Sequence, residues 1–312
     1  MKRTWTSHAT ALALALGPLA WPGAGASEPV TLTHVHGLSY SADGSRLMVP
    51  SHHGLAVYAA GQWSKAPGPA HDFMGFSGTR TALYSSGHPA AGSGLKNPFG
   101  LIKSKDGGKS WLQLGLEGES DFHTMATSYG TNAVYVVNPH PNSRMSAQGI
   151  YFTLDDGRTW QRAQGRGLAG QLHGLAVHPS DPATVAAATD QGLFVSKDSG
   201  TTYRAVVSGK RVLSAAFALD GKDLWWSGFD GRPTLSVLAL QQPDASSRLA
   251  NLPALGEDAV SYFAQNPARP NDMAIATFRK SVFISQDGGR NWVLIADEGT
   301  TAGNPAVAQE RR

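Results

Sequence analysis

Gln171 to Val207 reads QLHGLAVHPSDPATVAAATDQGLFVSKDSGTTYRAVV, and this stretch decides the fold. It holds four short apolar runs, LHGLAV, TVAAAT, GLFVS and YRAVV, separated by the turn clusters HPSDP, DQ and KDSGT. Short β-prone runs with such punctuation predict an antiparallel meander. A four-stranded sheet cannot cover both of its own faces, so it needs neighbours of its own kind. A repeat of about forty residues is the length of a propeller blade.

Outward from this unit, the pattern Ser/Thr-x-Asp-x-Gly-x-x-aromatic occurs at Ser104–Trp111, Thr153–Trp160, Ser196–Tyr203 and Ser285–Trp292. The Asp can accept backbone N–H groups of its own turn, the Gly can take positive φ, and the aromatic ring can fold back on the blade. Asp106, Asp155 and Asp198 lie one period apart, whereas the gap from Asp198 to Asp287 holds two. A blade without the pattern fills that gap: LSAAFAL, DLWWSG, LSVLAL and SRLANL, from Leu213 to Leu252. Another precedes the first pattern, as HGLSYS, RLMVPS, GLAVYA and GQWSK. The expectation is an all-β, six-bladed β-propeller of four-stranded antiparallel blades over residues 27–299. Seven blades are the alternative, with an irregular strand at Val30–Thr33 able to alter the closure.

The four patterns resemble the Asp-box (BNR) repeat of sialidases, sortilin-type receptors and photosystem II assembly factors, which implies a β-propeller. The chain is also similar to exported bacterial Asp-box proteins that carry HVHGL, an SGHP loop and a DFH strand start, here His34–Leu38, Ser86–Pro89 and Asp121–His123. Such proteins are named glycosyl hydrolases from the repeat alone. The resemblance brings no catalytic residue to this chain.

Residues 1–26 start with Lys2 and Arg3, continue through ALALALGPLAW and end in Ala24-Gly25-Ala26, the pattern of a secretory signal peptide. The expected location is periplasmic or secreted. No later segment is long and apolar enough to span a membrane. The chain has no cysteine, so disulfides and thiolate ligands are excluded and stability must come from the core. A net charge of +3 without basic clusters argues against nucleic acid. Residues 300–312 show no strand pattern and read as a flexible tail, and a monomer is expected.

Aligning the six innermost strands on HGLAV, with alternate residues facing the channel, places His36, Met74, His123, His173, Leu213 and Ser261 in one ring. Two residues earlier come His34, Asp72, Asp121, Gln171, Arg211 and Ala259, and two later the apolar Leu38, Phe76, Met125, Leu175, Ala215 and Phe263. Strand alternation puts the loops carrying His52, His53, His88, His140 and Met145 on the mouth side with these rings, and the Asp-box turns on the opposite face. Of the histidines after residue 26, only His178 falls on the far side.

His34, His36, His52, His53, Met74, His88 and His123 are therefore the candidate metal ligands, with Asp72, Asp121, His173 and Arg211 as orienting or ligand-binding groups. Imidazoles and a thioether without thiolates suit copper, and three imidazoles with a water suit zinc. Arg211, Asp230, Arg279 and Lys280 offer charge for an anionic small molecule on the other side.

Two other functions compete. A sialidase-like glycoside hydrolase needs an arginine triad and a tyrosine nucleophile. The channel strands offer Arg211, and Tyr262 only on a slipped register, although Glu117, Glu119 and Glu257 lie in loops entering innermost strands. The Arg-Ile-Pro stretch of sialidases is missing. An assembly scaffold would dock a protein on the same face through the loops Gly87–Pro98 and Asn138–Gln148.

Overall fold

The four apolar runs of the decisive stretch become the strands Leu172–Val177, Val185–Thr189, Gly192–Ser196 and Arg204–Ser208, hydrogen-bonded in that order as an antiparallel sheet. The two middle strands are buried along their whole length because neighbouring sheets cover both faces, which is why their sequences are almost continuously apolar. The fourth is largely exposed. This computed structural model describes residues 1, 30–241 and 247–301. The proposed signal peptide and residues 302–312 lie outside the described residues.

Six such sheets occur, which makes the molecule an all-β six-bladed propeller. Blade one is Ser39–Tyr40, Leu47–Ser51, Gly54–Ala59 and Gln62–Lys65. Blade two is Asp72–Gly78, Leu83–His88, Leu101–Ser104 and Leu112–Gly115, and blade three Met125–Thr127, Val134–Asn138, Gly149–Thr153 and Gln161–Arg162. The decisive stretch is blade four. Blade five runs Val212–Phe217, Asp223–Phe229, Pro233–Ala239 and Arg248–Leu249, where the sequence shows no Asp turn. Blade six is Val260–Gln265, Met273–Thr277, Val282–Ser285 and Val293–Asp297. Among the described residues no helix is long and apolar enough to cross a membrane.

The ring closes by a device that the blade count alone does not show. Blade six carries a fifth strand, Thr300–Thr301, and the incoming chain pairs with it: Thr31 bridges Thr300, the Leu32 N–H donates to the Gly299 carbonyl (2.7 Å), and the Thr301 hydroxyl donates to the Val30 carbonyl (2.6 Å). The irregular strand expected at Val30–Thr33 thus completes blade six and adds no seventh. The boundary drawn at residue 299 falls two residues short of the last strand. Across the same seam, the Trp63 indole of blade one donates to the Ile295 carbonyl of blade six at 2.7 Å, within a core shared by Leu47, Val49, Ala274 and Val282.

Each Ser/Thr-x-Asp-x-Gly turn repeats one bonding scheme. In the first, the Ser104 hydroxyl donates to Asp106 Oδ1 (2.8 Å) and accepts the Gly108 N–H (2.9 Å), and Asp106 Oδ1 accepts the Ser110 N–H (3.0 Å). Thr153 with Asp155, Ser196 with Asp198 and Ser285 with Asp287 do the same. These turns satisfy their own backbone and fix the strand ends.

The innermost strands meet the channel edge-on. Consecutive residues, such as Leu213, Ser214, Ala215 and Ala216, line it together, so strict alternation of inward positions does not hold. Two glycines let the innermost segments of blades one to three approach closely. A Cβ at Gly37 would strike the Phe76 carbonyl, and one at Gly75, where φ is +50°, would strike the Phe122 carbonyl.

Candidate metal centre

His34 and His36 sit in the irregular segment that enters blade one, and His52 sits in the tight turn joining its second and third strands. That topology brings a turn and an entry segment of one blade to the same rim. The ring centroids lie 5.4 Å apart for His34 and His36, 4.3 Å for His34 and His52, and 5.5 Å for His36 and His52. One nitrogen from each of the three lies within 4.8 Å of the others.

Two of these rings keep a buried nitrogen without a partner. His52 Nδ1 donates to Asp72 Oδ2 at 3.0 Å, which orients the ring and leaves Nε2 buried and unpartnered. His36 Nε2 is likewise buried without a partner. Burial, opposed by Asp72 and aided by the neighbouring His34, His52 and His123, lowers the His36 pKa to about 4, so the ring is neutral near pH 7. Buried imidazole nitrogens without a partner are costly, and two of them, on His36 and His52, lie in this group.

A second group adjoins the first. Asp121 Oδ2 accepts from His123 Nε2 at 2.7 Å and from His88 Nε2 at 3.1 Å, and His88 Nδ1 lies 2.6 Å from Asn97 Oδ1. Both His88 nitrogens are therefore engaged within the protein. The hydrogen bond to Asp121 raises the pKa of His123, whose ring centroid is 6.4 Å from that of His36. Asp121 Oδ1 and Asp72 Oδ1 remain buried and unpartnered.

The structure assembles only part of the expected ligand set. Met74 is buried, and Gly75 and Phe76 form the channel wall in its place, because a register shift between Met74 and Ser77 interrupts the pairing of that strand. His53 is exposed and lines a separate small cavity with Ser51 and Lys65. Met145 is in the core between blades two and three, and His140 is exposed. His173 does line the channel, with Nε2 buried and unpartnered and a pKa lowered by burial and by Arg211. Arg211 itself is exposed. On the far face, His178 accepts N–H groups of Ser180 and Asp181 at Nδ1 and approaches the Gly221 carbonyl through Nε2, a structural role.

Two residues escaped the sequence reading. Asn97 anchors His88 from a loop, and nothing in its local pattern marks it. His71 is buried, accepts the Ala90 N–H at 2.9 Å and packs on Phe99; its place one residue before Asp72 in an alternating strand was the available signal.

Comparison with known proteins places the fold. No family model matches the chain. A xyloglucanase of Hypocrea jecorina (strain QM6a) is 33% identical over 79 residues, 25% of this chain and 9% of that protein. A GH74 enzyme of Niastella koreensis superposes with a TM-score of 0.58 at 14% identity over 85% of this chain, which spans 46% of that one. YCF48 bound to D1 peptide superposes with a TM-score of 0.50 at 17% identity, over 87% of this chain and 85% of the other. The two solved structures share its propeller fold. The chain spans less than half the length of the GH74 enzyme and a small part of the xyloglucanase.

Proposed function

We propose that this protein binds a transition metal at its channel mouth through His34, His36 and His52, and that the metal is copper in preference to zinc. The supporting observation is the convergence of three imidazole nitrogens within 4.8 Å, one of them on a ring oriented by Asp72. With Met74 in the interior, the preference no longer rests on a thioether. It rests on the higher intrinsic affinity of Cu(II) than Zn(II) for nitrogen donors. His123, held by Asp121 beside His36, stands where it can contact a molecule bound to the ion.

The test is elemental analysis of the untagged protein, followed by Cu(II) and Zn(II) competition titrations. One equivalent bound by the wild type and lost in His36→Ala and His52→Ala supports the proposal; unchanged affinity in both variants removes it.

Export and membership of the Asp-box group belong to the same proposal. Ser27 as the N-terminal residue of protein recovered from the periplasm or medium would support export. Likeness to GH74 enzymes favours a glycoside hydrolase as second reading. Asp72 and Asp121 at the mouth each hold a histidine through one carboxylate oxygen, which counts against their serving as an acid–base pair. Release of reducing sugar from xyloglucan by the metal-free protein would reverse that order. YCF48 suggests a peptide partner for the same face, which pull-down with the wild type and His123→Ala would address.

A further inference from the structure

Below the histidines the channel opens into a cavity of about 250 Å³ that continues toward the far face. Its lining includes no Asp, Glu, Lys or Arg. Leu38, Phe76, Met125, Leu175, Ala215 and Phe263 form its wall, one from each blade.

Several of the serine and threonine hydroxyls on this wall are already used. Ser214 donates to Ser227, which donates to the Val260 carbonyl at 2.6 Å, Ser261 donates to the Ala276 carbonyl, and Ser77 pairs with Thr127. His173 Nε2 is different. It is buried, unpartnered and outside the three-histidine group. Blade four stands opposite blade one in a six-membered ring, so His173 faces His36 across the channel.

We propose that this channel binds a small uncharged molecule with an apolar body and a single hydrogen-bonding group, the latter directed at His173 Nε2. A charged ligand would lose its hydration with no Asp, Glu, Lys or Arg in the lining to offset the loss. A sugar would bring several hydroxyls against a ring of apolar side chains and serines that are already hydrogen-bonded. The volume is at the small end for ligand pockets and suits a body of about ten carbon atoms. The site goes beyond the metal reading: His36 borders both, but His173 and the apolar wall lie outside the three-histidine group.

Equilibrium dialysis of the full-length protein, metal-free and Cu(II)-loaded, against 2-naphthol, naphthalene and naphthalene-2-sulfonate tests it. The expected result is saturable one-site binding of 2-naphthol and naphthalene and no binding of the sulfonate. His173→Phe should weaken 2-naphthol about tenfold, the loss of one hydrogen bond, and leave naphthalene unchanged. Leu213→Trp and Ala215→Trp, on the channel wall, should each abolish binding while circular dichroism and metal affinity are retained. Two fillers guard against one of them failing to fold. Persistence of 2-naphthol binding in His34→Ala/His52→Ala separates this site from the metal centre. Sulfonate binding as tight as 2-naphthol, binding unaffected in both Trp variants, or no saturable binding would each overturn the proposal.

Discussion

Aspartates serve opposite ends of this propeller in two ways. In the turns on one face, Asp106, Asp155, Asp198 and Asp287 accept backbone N–H groups and hydroxyls of their own loops, a closed scheme repeated four times. At the mouth on the other face, Asp72 and Asp121 accept from histidines while each keeps one buried oxygen without a partner. A turn that satisfies itself has finished its work on folding. A buried cluster with unused acceptors carries a cost that a ligand can offset.

The sharpest test of that contrast removes a ligand from the mouth and a carboxylate from a turn. His36→Ala or His52→Ala should lower Cu(II) affinity by at least about a thousandfold, since each removes one of three coordinating groups. Asp198→Asn should leave it unchanged. Equal losses in all three would show that metal binding is a property of global stability, and the comparison would break.

Asp72→Asn comes next. Replacing a carboxylate that orients a liganding imidazole typically costs ten- to a hundredfold in affinity. The amide can also accept the His52 N–H, so the fold should hold. A titration showing no change would place Asp72 outside the site's mechanics.

The two faces also differ in how much of them the sequence discloses. The turns were legible because their chemistry is local: residue i bonds residues i+2 and i+4, and spacing alone reports it. Blade count followed for the same reason. The mouth is assembled from segments far apart in sequence, and only their shared strand-one register brought them together on paper. That register held for His36, His123 and His173, which line the channel. It failed at Met74, where a local shift in blade two puts a glycine with positive φ on the wall. It could not separate His52 from His53, neighbours in a turn of which one joins the histidine cluster and the other lines a separate small cavity. The closure was hidden because two short polar-flanked segments, Val30–Leu32 and Gly299–Thr301, become a strand pair only when the ring is complete.

On the turn face the expected effects are smaller and appear in stability. Thr153→Ala removes the buried hydroxyl that accepts the Gly157 N–H at 2.9 Å and donates to Asp155, leaving that amide unpaired. The cost should be about 1–2 kcal/mol in urea unfolding, with metal affinity unchanged. A loss of metal binding here would mean that the faces are coupled.

The smallest effect is the acid response of the turns. Hydrogen bonds from Ser110, Thr202 and Asn291 hold the carboxyls of Asp106, Asp198 and Asp287 at about 2, against an ordinary value of 3.8. A carboxyl whose pKa is lower in the folded chain favours folding fully above the unfolded value, and that contribution disappears as pH falls through the folded value. The window therefore lies between about pH 4 and pH 2. These groups are exposed, so screening keeps each contribution small. The urea midpoint should slope downward across this window in the wild type and flatten in Asp106→Asn/Asp198→Asn/Asp287→Asn. An unaltered slope in the triple variant would assign acid sensitivity to other carboxylates, with Asp155, held low by hydrogen bonds from Thr159, the first to examine.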